Sequence, residues 1–157
     1  MKMFIDSNIF VEYSKDNPKA VDIIENLFGK FKELYINDIV YSEVAYIFIR
    51  TDSGKSYFEL KKDKKSVADS GLNFLNTLFP LLKLAKFLEV NDSIIALASN
   101  YIIKYGLLPN DALILATCKF YGIEFLVSFD QEDFEEPCRK ENVHLISDVK
   151  SLNDLIS

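Results

Sequence analysis

The chain has 157 residues, 49% of them hydrophobic, and a formal net charge of −6, which suits a single domain spanning residues 1–157 around one core. No apolar stretch has the about 18 uninterrupted residues of a membrane span or the pattern of a signal peptide, so we expect a cytoplasmic protein. The acidic charge argues against a nucleic-acid partner unless the charges are unevenly distributed, because phosphate binding depends on Lys and Arg.

Apolar periodicity and turn residues predict a chain of alternating strands and helices. In chain order, these are a strand at 3–5, helices starting at 9 and spanning 18–28, a strand at 33–37, helices at 38–50 and 66–82, a strand at 86–90, helices at 93–105 and 112–121, strands at 124–129 and 144–147, and a short helix at 149–157. Several strand runs are apolar without alternation, as expected when both faces of a sheet are covered. The pattern predicts an α/β fold with a parallel sheet between two helical layers.

Capping residues mark several boundaries of these helices. Asn17 is predicted to cap the 18–28 helix, with Gly29 just past its end, and Asp38 to cap the helix that follows the second strand. Pro80 should kink or end the helix in which it lies. The acidic segment that begins at Asp130 is interpreted as a loop.

Composition also restricts the chemistry. His144 is the only histidine, so a zinc site with two or three histidines is excluded, and its place in a late strand favours a structural role. Cys118 and Cys138 do not form a disulfide framework and are interpreted as free, buried thiols. Any acid–base or metal chemistry therefore depends on carboxylates.

Two of these carboxylates follow predicted strands. Asp6 follows the first strand and Asp130 follows the strand EFLVSF. Sites in parallel sheets form beyond the carboxyl ends of the strands, so both acids should lie on the same edge. Each also has an ordinary explanation, since Asp6 could simply cap a helix and Asp130 or Asp133 could be a solvated loop acid.

Two further carboxylates lie in predicted helices. Glu43 lies in the helix IVYSEVAYIFI, which is apolar nearly all round and should be buried. A buried carboxylate needs a compensating cation. The alternative is that Glu43 and Ser42 form a narrow polar stripe on a surface helix. Asp111 could serve only the first turn of its helix, although Asn110 is already a competent cap. Taken together, acids with oxygen ligands and no useful histidine indicate Mg²⁺ or Mn²⁺.

Four short motifs occur in a characteristic order. FIDSN, YSEVAYIF, LPNDALILATCKFYGI and FLVSFDQEDF resemble the PIN domain, and most of all the VapC-type toxins of toxin–antitoxin pairs. The resemblance extends from Met1 to about Ser147. It implies a three-layer α/β/α sandwich with a central parallel sheet, and a Mg²⁺- or Mn²⁺-dependent endoribonuclease that binds an antitoxin and forms a homodimer.

The resemblance also implies roles for individual residues. The catalytic and metal-binding acids would be Asp6, Glu43, Asp111 and Asp130, with Ser7 and Asn8 as supporting residues around Asp6. Asp133 remains an alternative to Asp130, because the family usually carries T-x-D-x-D-F or T-x-N-x-x-D-F where this chain has SFDQEDF, with Ser128 in place of the threonine. Asp6 and Asp111 would be the primary ligands.

The chain is longer than a typical VapC-type toxin, and the extra length suggests a helical insertion around residues 53–85. Its lysines, such as Lys55, Lys61 and Lys62, could contact RNA phosphates. Its apolar residues could contact a second copy or an antitoxin, but we favour packing against the core; they are Leu72, Leu75, Leu78 and Phe79.

Three other functions fit parts of the sequence. A haloacid-dehalogenase-type phosphatase would need an Asp at the position of Asn8, which counts against it. A PIN-like module that binds RNA or protein without catalysis would not need these acids, so the presence of Asp6, Glu43 and Asp111 argues against it. An RNA-processing nuclease would have the same sequence features as a toxin.

Overall fold

The computed structural model describes all 157 residues and contains a five-stranded sheet. The strands are β1 (Lys2–Ile5), β2 (Glu33–Asn37), β3 (Lys86–Leu88), β4 (Phe125–Val127) and β5 (His144–Ile146). Their order across the sheet is β3-β2-β1-β4-β5, and every neighbouring pair is parallel. The predicted central parallel sheet is confirmed, and the strand order reverses between β1 and β4, which is where such sheets form their binding crevice.

Ten helices flank the sheet and complete the predicted α/β/α layering. They are α1 (Ser7–Ser14), α2 (Pro18–Lys30), α3 (Asp38–Ser53), α4 (Tyr57–Lys61), α5 (Lys64–Thr77), α6 (Phe79–Leu82), α7 (Asp92–Tyr105), α8 (Pro109–Phe120), α9 (Gln131–Lys140) and α10 (Val149–Asp154). None of them combines the length and the hydropathy needed to span a membrane.

The core is a single cluster of 36 buried residues that surrounds the middle of the sheet. All three residues of β4 are buried, and Phe4 and Ile5 of β1 have no exposed surface. Both strands are apolar without alternation because helices cover both faces of the sheet. The two predicted free thiols, Cys118 and Cys138, lie buried within this cluster.

Two predicted helix boundaries were wrong. Asn37, not Asp38, caps α3: its side chain accepts a hydrogen bond from the Val40 amide at 3.1 Å, and Asp38 is already the first helical residue. Helix α2 continues through Gly29 to Lys30 instead of ending before it. At α3 the capping residue lies one position before the expected one, whereas α2 is capped by Phe31 in an extended conformation that does not require a glycine.

Helix α9 was not predicted, and α4 lies within the predicted helical insertion around 53–85 but was not predicted as a separate helix. Helix α9 follows Asp130, whose side chain accepts a hydrogen bond from the Asp133 amide at 3.1 Å, so the acidic loop is in fact a capped helix. It was missed because it contains Pro137 and many charged residues. Only Phe134, Pro137 and Cys138 of this helix are buried.

The segment 53–85 contributes to the core with one face only. The predicted helix at 66–82 is broken after Thr77, as Pro80 indicated, into α5 and α6. Phe74 and Leu78 are buried, but Leu72 is 59% and Leu75 is 50% exposed. Core packing is therefore the wrong interpretation for Leu72 and Leu75, and the description of this segment as an insertion stays a prediction.

Helix α3 is also less buried than its sequence indicated. Only Val40 and Val44 are fully buried, while Tyr41 and Tyr46 are 39% and 38% exposed. The expectation of a helix buried all round was therefore wrong, and α3 has an aromatic surface that does not belong to the core.

A buried hydrogen bond ties α3 to α8. Asn37, with no exposed surface, donates from Nδ2 to Thr117 Oγ1 at 3.0 Å, and Thr117 donates to the Leu113 carbonyl at 2.7 Å. This contact fixes the beginning of α3, which carries Glu43, against α8, which carries Asp111.

We expect Thr117→Val to lower the free energy of unfolding by about 1–3 kcal/mol, because it leaves the buried Asn37 amide without an acceptor. Thr77→Val is the matched control, since Thr77 also bonds the carbonyl four residues earlier but is exposed. It should change stability by no more than about 0.5 kcal/mol. Urea unfolding followed by circular dichroism measures both, and equal effects of the two substitutions would contradict the role of the Asn37–Thr117 contact.

Candidate active site

Asp6 lies directly after β1 and caps α1. Its carboxylate is buried, with the residue 4% exposed, and it accepts four hydrogen bonds. Oδ1 accepts from the Ser7 amide at 2.7 Å and the Ser7 hydroxyl at 3.3 Å, and Oδ2 accepts from Ser128 Oγ at 2.6 Å and Asn8 Nδ2 at 3.2 Å. The orientation of this carboxylate is therefore fixed by groups that follow two adjacent strands.

Ser128 and Asn8 join the ends of β1 and β4. Asn8 donates to Ser128 Oγ at 3.1 Å and accepts from the Phe129 amide at 3.1 Å. Ser128 Oγ also accepts from the Asp130 amide at 3.0 Å, so the same hydroxyl contacts Asp6 and positions the backbone of Asp130. As predicted, Asp6 and Asp130 lie at the same edge of the sheet.

Glu43 extends from α3 toward Asp6 and is partly buried. Its Oε1 accepts from Ser7 Oγ at 3.0 Å, and its Oε2 accepts from Asn110 Nδ2 at 3.2 Å. The Ser7 hydroxyl has one proton, so it can donate either to Glu43 or to Asp6 at any moment. Ser7 thus couples the two carboxylates, and Glu43 shares a small cleft with Asn110 and Asp111.

A second group of acids begins with Asp111 of this cleft and includes two residues at the beginning of α9. Asp111 lies in the first turn of α8, and Asp130 and Asp133 lie at the beginning of α9. One carboxylate oxygen from each lies within 4.8 Å of the others. The structure therefore brings both the predicted fourth acid, Asp130, and its alternative, Asp133, next to Asp111; of the two, Asp130 is the less exposed.

The negative charges have no basic partner within the protein. None of the seven ion pairs includes Asp6, Glu43, Asp111, Asp130 or Asp133. Burial raises the pKa of Asp6 to about 6, although its hydrogen bonds to Ser128 and Ser7 oppose the shift. Burial, followed by repulsion from the surrounding acids, raises the pKa of Asp111 to about 7.

This arrangement fits a divalent cation that prefers oxygen ligands. The groups that could bind a metal ion are carboxylate oxygens, which suit Mg²⁺ or Mn²⁺. A bound cation would also remove the electrostatic cost that the raised pKa of Asp111 reports.

Sequence reasoning missed the contributions of Asn110 and Ser128. Asn110 was interpreted as a helix cap, but Leu108 occupies that position and the Asn110 side chain bonds Glu43 instead. Ser128 was noted only because it replaces a threonine, yet it makes the shortest hydrogen bond to Asp6. Its position directly after a buried strand beside the strand of Asp6 was the available signal.

The chain is similar in sequence to known ribonucleases. Residues 3–140 match the model of the PIN domain. Ribonuclease VapC2 of Methanocaldococcus jannaschii is 37% identical over 134 residues, covering 85% of this chain and 87% of that protein. Ribonuclease VapC6 of the same organism is 33% identical over 140 residues, covering 85% of this chain and 91% of that protein.

Solved structures share the fold at lower identity. The DNA-bound VapBC complex of Salmonella typhimurium contains a chain with a TM-score of 0.65 and 16% identity, covering 93% of this chain and 97% of that one. VapC20 of Mycobacterium tuberculosis, described as a toxin that cleaves the sarcin-ricin loop, has a TM-score of 0.57 and 12% identity, covering 86% of this chain and 95% of that one.

We expect Asp111→Asn to stabilise the metal-free protein, because it removes a charge that is disfavoured by burial and by repulsion from the surrounding acids. The folded-state pKa of Asp111 is raised, so the wild type loses stability as the pH rises from about 4 to about 7, and the advantage of the variant should grow over that range. Allowing for the partial exposure of Asp111, we expect a gain of about 1 kcal/mol, or about 2–4 °C in Tm, above pH 7.

Asp22→Asn is the matched control, since Asp22 is exposed on α2 and has no ion pair. Thermal unfolding in EDTA at several pH values between 4 and 8 measures both variants. An Asp111→Asn variant that is less stable than the wild type at pH 8 would show that the acids do not repel one another as described.

Proposed function

The chain belongs to the PIN domain family, and from this membership we propose that it is a metal-dependent endoribonuclease that acts as the toxin of a toxin–antitoxin pair. The observation that carries the proposal is that five carboxylates lie close together at one edge of the sheet and that none of them has a basic partner. They are Asp6, Glu43, Asp111, Asp130 and Asp133. The two relatives above 30% identity, both named ribonucleases, support it.

Asp6 and Asp111 would hold the metal ion, together with Glu43 and Asp130. Mg²⁺ or Mn²⁺ bound there supplies Lewis acidity, which neutralises charge on a phosphate and makes water a better nucleophile. Ser128, Ser7 and Asn8 hold the Asp6 carboxylate in one orientation. Such supporting contacts reduce the reorganisation needed when charge develops during phosphodiester cleavage.

Glu43 is suited to orient water or accept a proton beside the scissile phosphate. Its two oxygens are held by Ser7 and Asn110, so its orientation is defined before substrate arrives. Of the two acids on α9, we assign Asp130 to the site, because its backbone is fixed by Ser128 and its residue is the less exposed.

The similar structures support the role as a toxin. One structure that shares this fold, from Klebsiella pneumoniae, is described as a toxin–antitoxin complex. We therefore propose an antitoxin as a protein partner, and a homodimer remains an expectation. An RNA-processing nuclease would cleave RNA by the same residues, but its expression without a partner protein should not arrest growth, whereas a toxin should arrest it.

We expect the wild type to cleave RNA from a panel of structured and single-stranded molecules with Mn²⁺ or Mg²⁺ but not with EDTA. Asp6→Asn should lower the cleavage rate by about 100-fold or more, because the buried carboxylate contributes directly to the charge of the site. Asp22→Asn should cleave at the wild-type rate. Metal-dependent cleavage that persists in a purified, folded Asp6→Asn variant would contradict the assignment of the site.

We also expect Mn²⁺ to raise the Tm of the wild type by about 5–10 °C at 100 times its dissociation constant, because it binds only the folded state. Asp111→Asn should lose most of this gain, and Asp22→Asn should keep it. Asp130→Asn should lose more of it than Asp133→Asn. If Asp133→Asn has the larger effect, the fourth acid is Asp133, and if no variant differs from the wild type, these acids do not bind the metal.

A further inference from the structure

Aromatic and basic side chains cluster on α3 and α4, outside the site described above. We name this cluster the aromatic–basic platform and define it by Tyr46, Arg50, Tyr57, Phe58 and Lys61. Its three rings are unusually exposed for their size: Phe58 is 76%, Tyr57 47% and Tyr46 38% exposed. Large rings in such positions contribute little to the core and need another explanation.

The platform is organised by its own contacts. The rings of Tyr46 and Tyr57 lie edge to face with centroids 6.3 Å apart, and those of Tyr57 and Phe58 lie edge to face at 5.4 Å. The Arg50 guanidinium lies 5.9 Å from the centre of the Tyr46 ring, and the Lys61 ammonium lies 5.7 Å from the centre of the Tyr57 ring. The two helices thus present adjacent rings and cations on one surface.

The platform lies in the most basic part of an acidic chain. Residues 46–65 contain six basic residues and three acidic ones, a local charge of +3, whereas the whole chain has −6. Lys55 pairs with Asp63 and Lys65 pairs with Asp69. The remaining basic residues, Arg50, Lys61, Lys62 and Lys64, form no ion pair. Lys55 is therefore engaged within the fold, and these four are the cations that a phosphate backbone could contact.

The platform continues from the acidic site along α3. Glu43, Tyr46 and Arg50 are separated by three and four residues, so they lie along one side of the helix. With a rise of about 1.5 Å per residue, Tyr46 lies about 5 Å and Arg50 about 10 Å along the axis from Glu43. Nucleotides that flank a phosphate held near Glu43 can reach both side chains.

We propose that the aromatic–basic platform binds the substrate RNA beside the cleaved bond, by stacking unpaired bases on Tyr57 and Phe58 while Arg50 and Lys61 contact phosphates. The proposal rests on the proposed ribonuclease function and adds to it the residues that hold the unpaired nucleotides beside the cleaved bond. Proteins that bind single strands combine exposed aromatic rings with a basic groove, since every base offers a face for stacking. A base-paired duplex does not expose those faces.

The test is the binding of a fluorescently labelled 12-nucleotide single-stranded RNA, followed by anisotropy in EDTA so that the RNA stays intact. Tyr57→Leu with Phe58→Leu should weaken binding by about tenfold or more, because the loss of base stacking is substantial. Phe58→Trp should keep wild-type binding, because the indole ring also offers a face on which a base can stack. Phe120→Leu is the matched control, since Phe120 is a 47% exposed ring on α8, and it should bind as the wild type does.

Salt dependence and a duplex of the same length add two independent readouts. Lys61→Gln should reduce the slope of log affinity against log salt by about 0.7, the loss of one phosphate contact on a single strand. The duplex should bind equally to the wild type and to the Leu variants. If the Leu variants bind the single strand as tightly as the wild type, the proposal is wrong. If those variants also dissociate a dimer in sedimentation equilibrium or lose a bound antitoxin, the platform is a protein interface instead.

Cleavage assays separate this proposal from the ribonuclease function. If the wild type cleaves RNA through Asp6 and the Leu variants cleave it equally fast at limiting RNA, the nuclease stands and the platform is not part of it. If no metal supports cleavage but single-strand binding still depends on Tyr57 and Phe58, the platform binds RNA and the nuclease function is wrong.

Discussion

The carboxylate of Asp6 is buried at the position where the strand order of the sheet reverses, and much of the surrounding structure serves to hold it there. A buried carboxylate is stable only when hydrogen-bond donors replace the water it has lost. Those donors come from the end of its own strand, through Ser7 and Asn8, and from the end of β4, through Ser128. Parallel pairing of β1 with β4 is what brings the two strand ends to the same place.

The remaining acids are gathered around this carboxylate at an electrostatic cost that the protein does not offset by itself. Burial and mutual repulsion raise the pKa of Asp111 to about 7, and no lysine or arginine lies in an ion pair with the group. Acids arranged for stability would be paired or spread apart. The arrangement instead favours a cation from solution, and it shows that part of the negative charge of a protein that we propose acts on RNA belongs to the site itself.

The sequence predicted the sheet, and the edge on which Asp6 and Asp130 meet, because runs of apolar residues and the geometry of parallel strands determine both. Features set by tertiary contacts were predicted less well. Asn37 rather than Asp38 caps α3, because the side chain of Asn37 can also reach Thr117. Helix α9 was not predicted because it is highly charged and contains a proline. Its stability depends on a narrow buried face that includes Phe134 and Cys138. Asn110 was interpreted by its position in the helix, although its role depends on Glu43, a residue distant in sequence.

Helix α3 shows how an apolar sequence can mislead and still be informative. Its composition predicted burial on all sides, but only Val40 and Val44 face the core completely. Glu43 lies beside the acidic cleft, and Tyr46 and Arg50 continue from it into the basic part of the chain. The large apolar residues of α3 that are exposed are both aromatic, Tyr41 and Tyr46, and Tyr46 lies next to Arg50. One helix thereby joins the negative charges that suit a metal ion to the rings and positive charges that suit an RNA strand, which is why an acidic chain can still offer a surface to a polyanion.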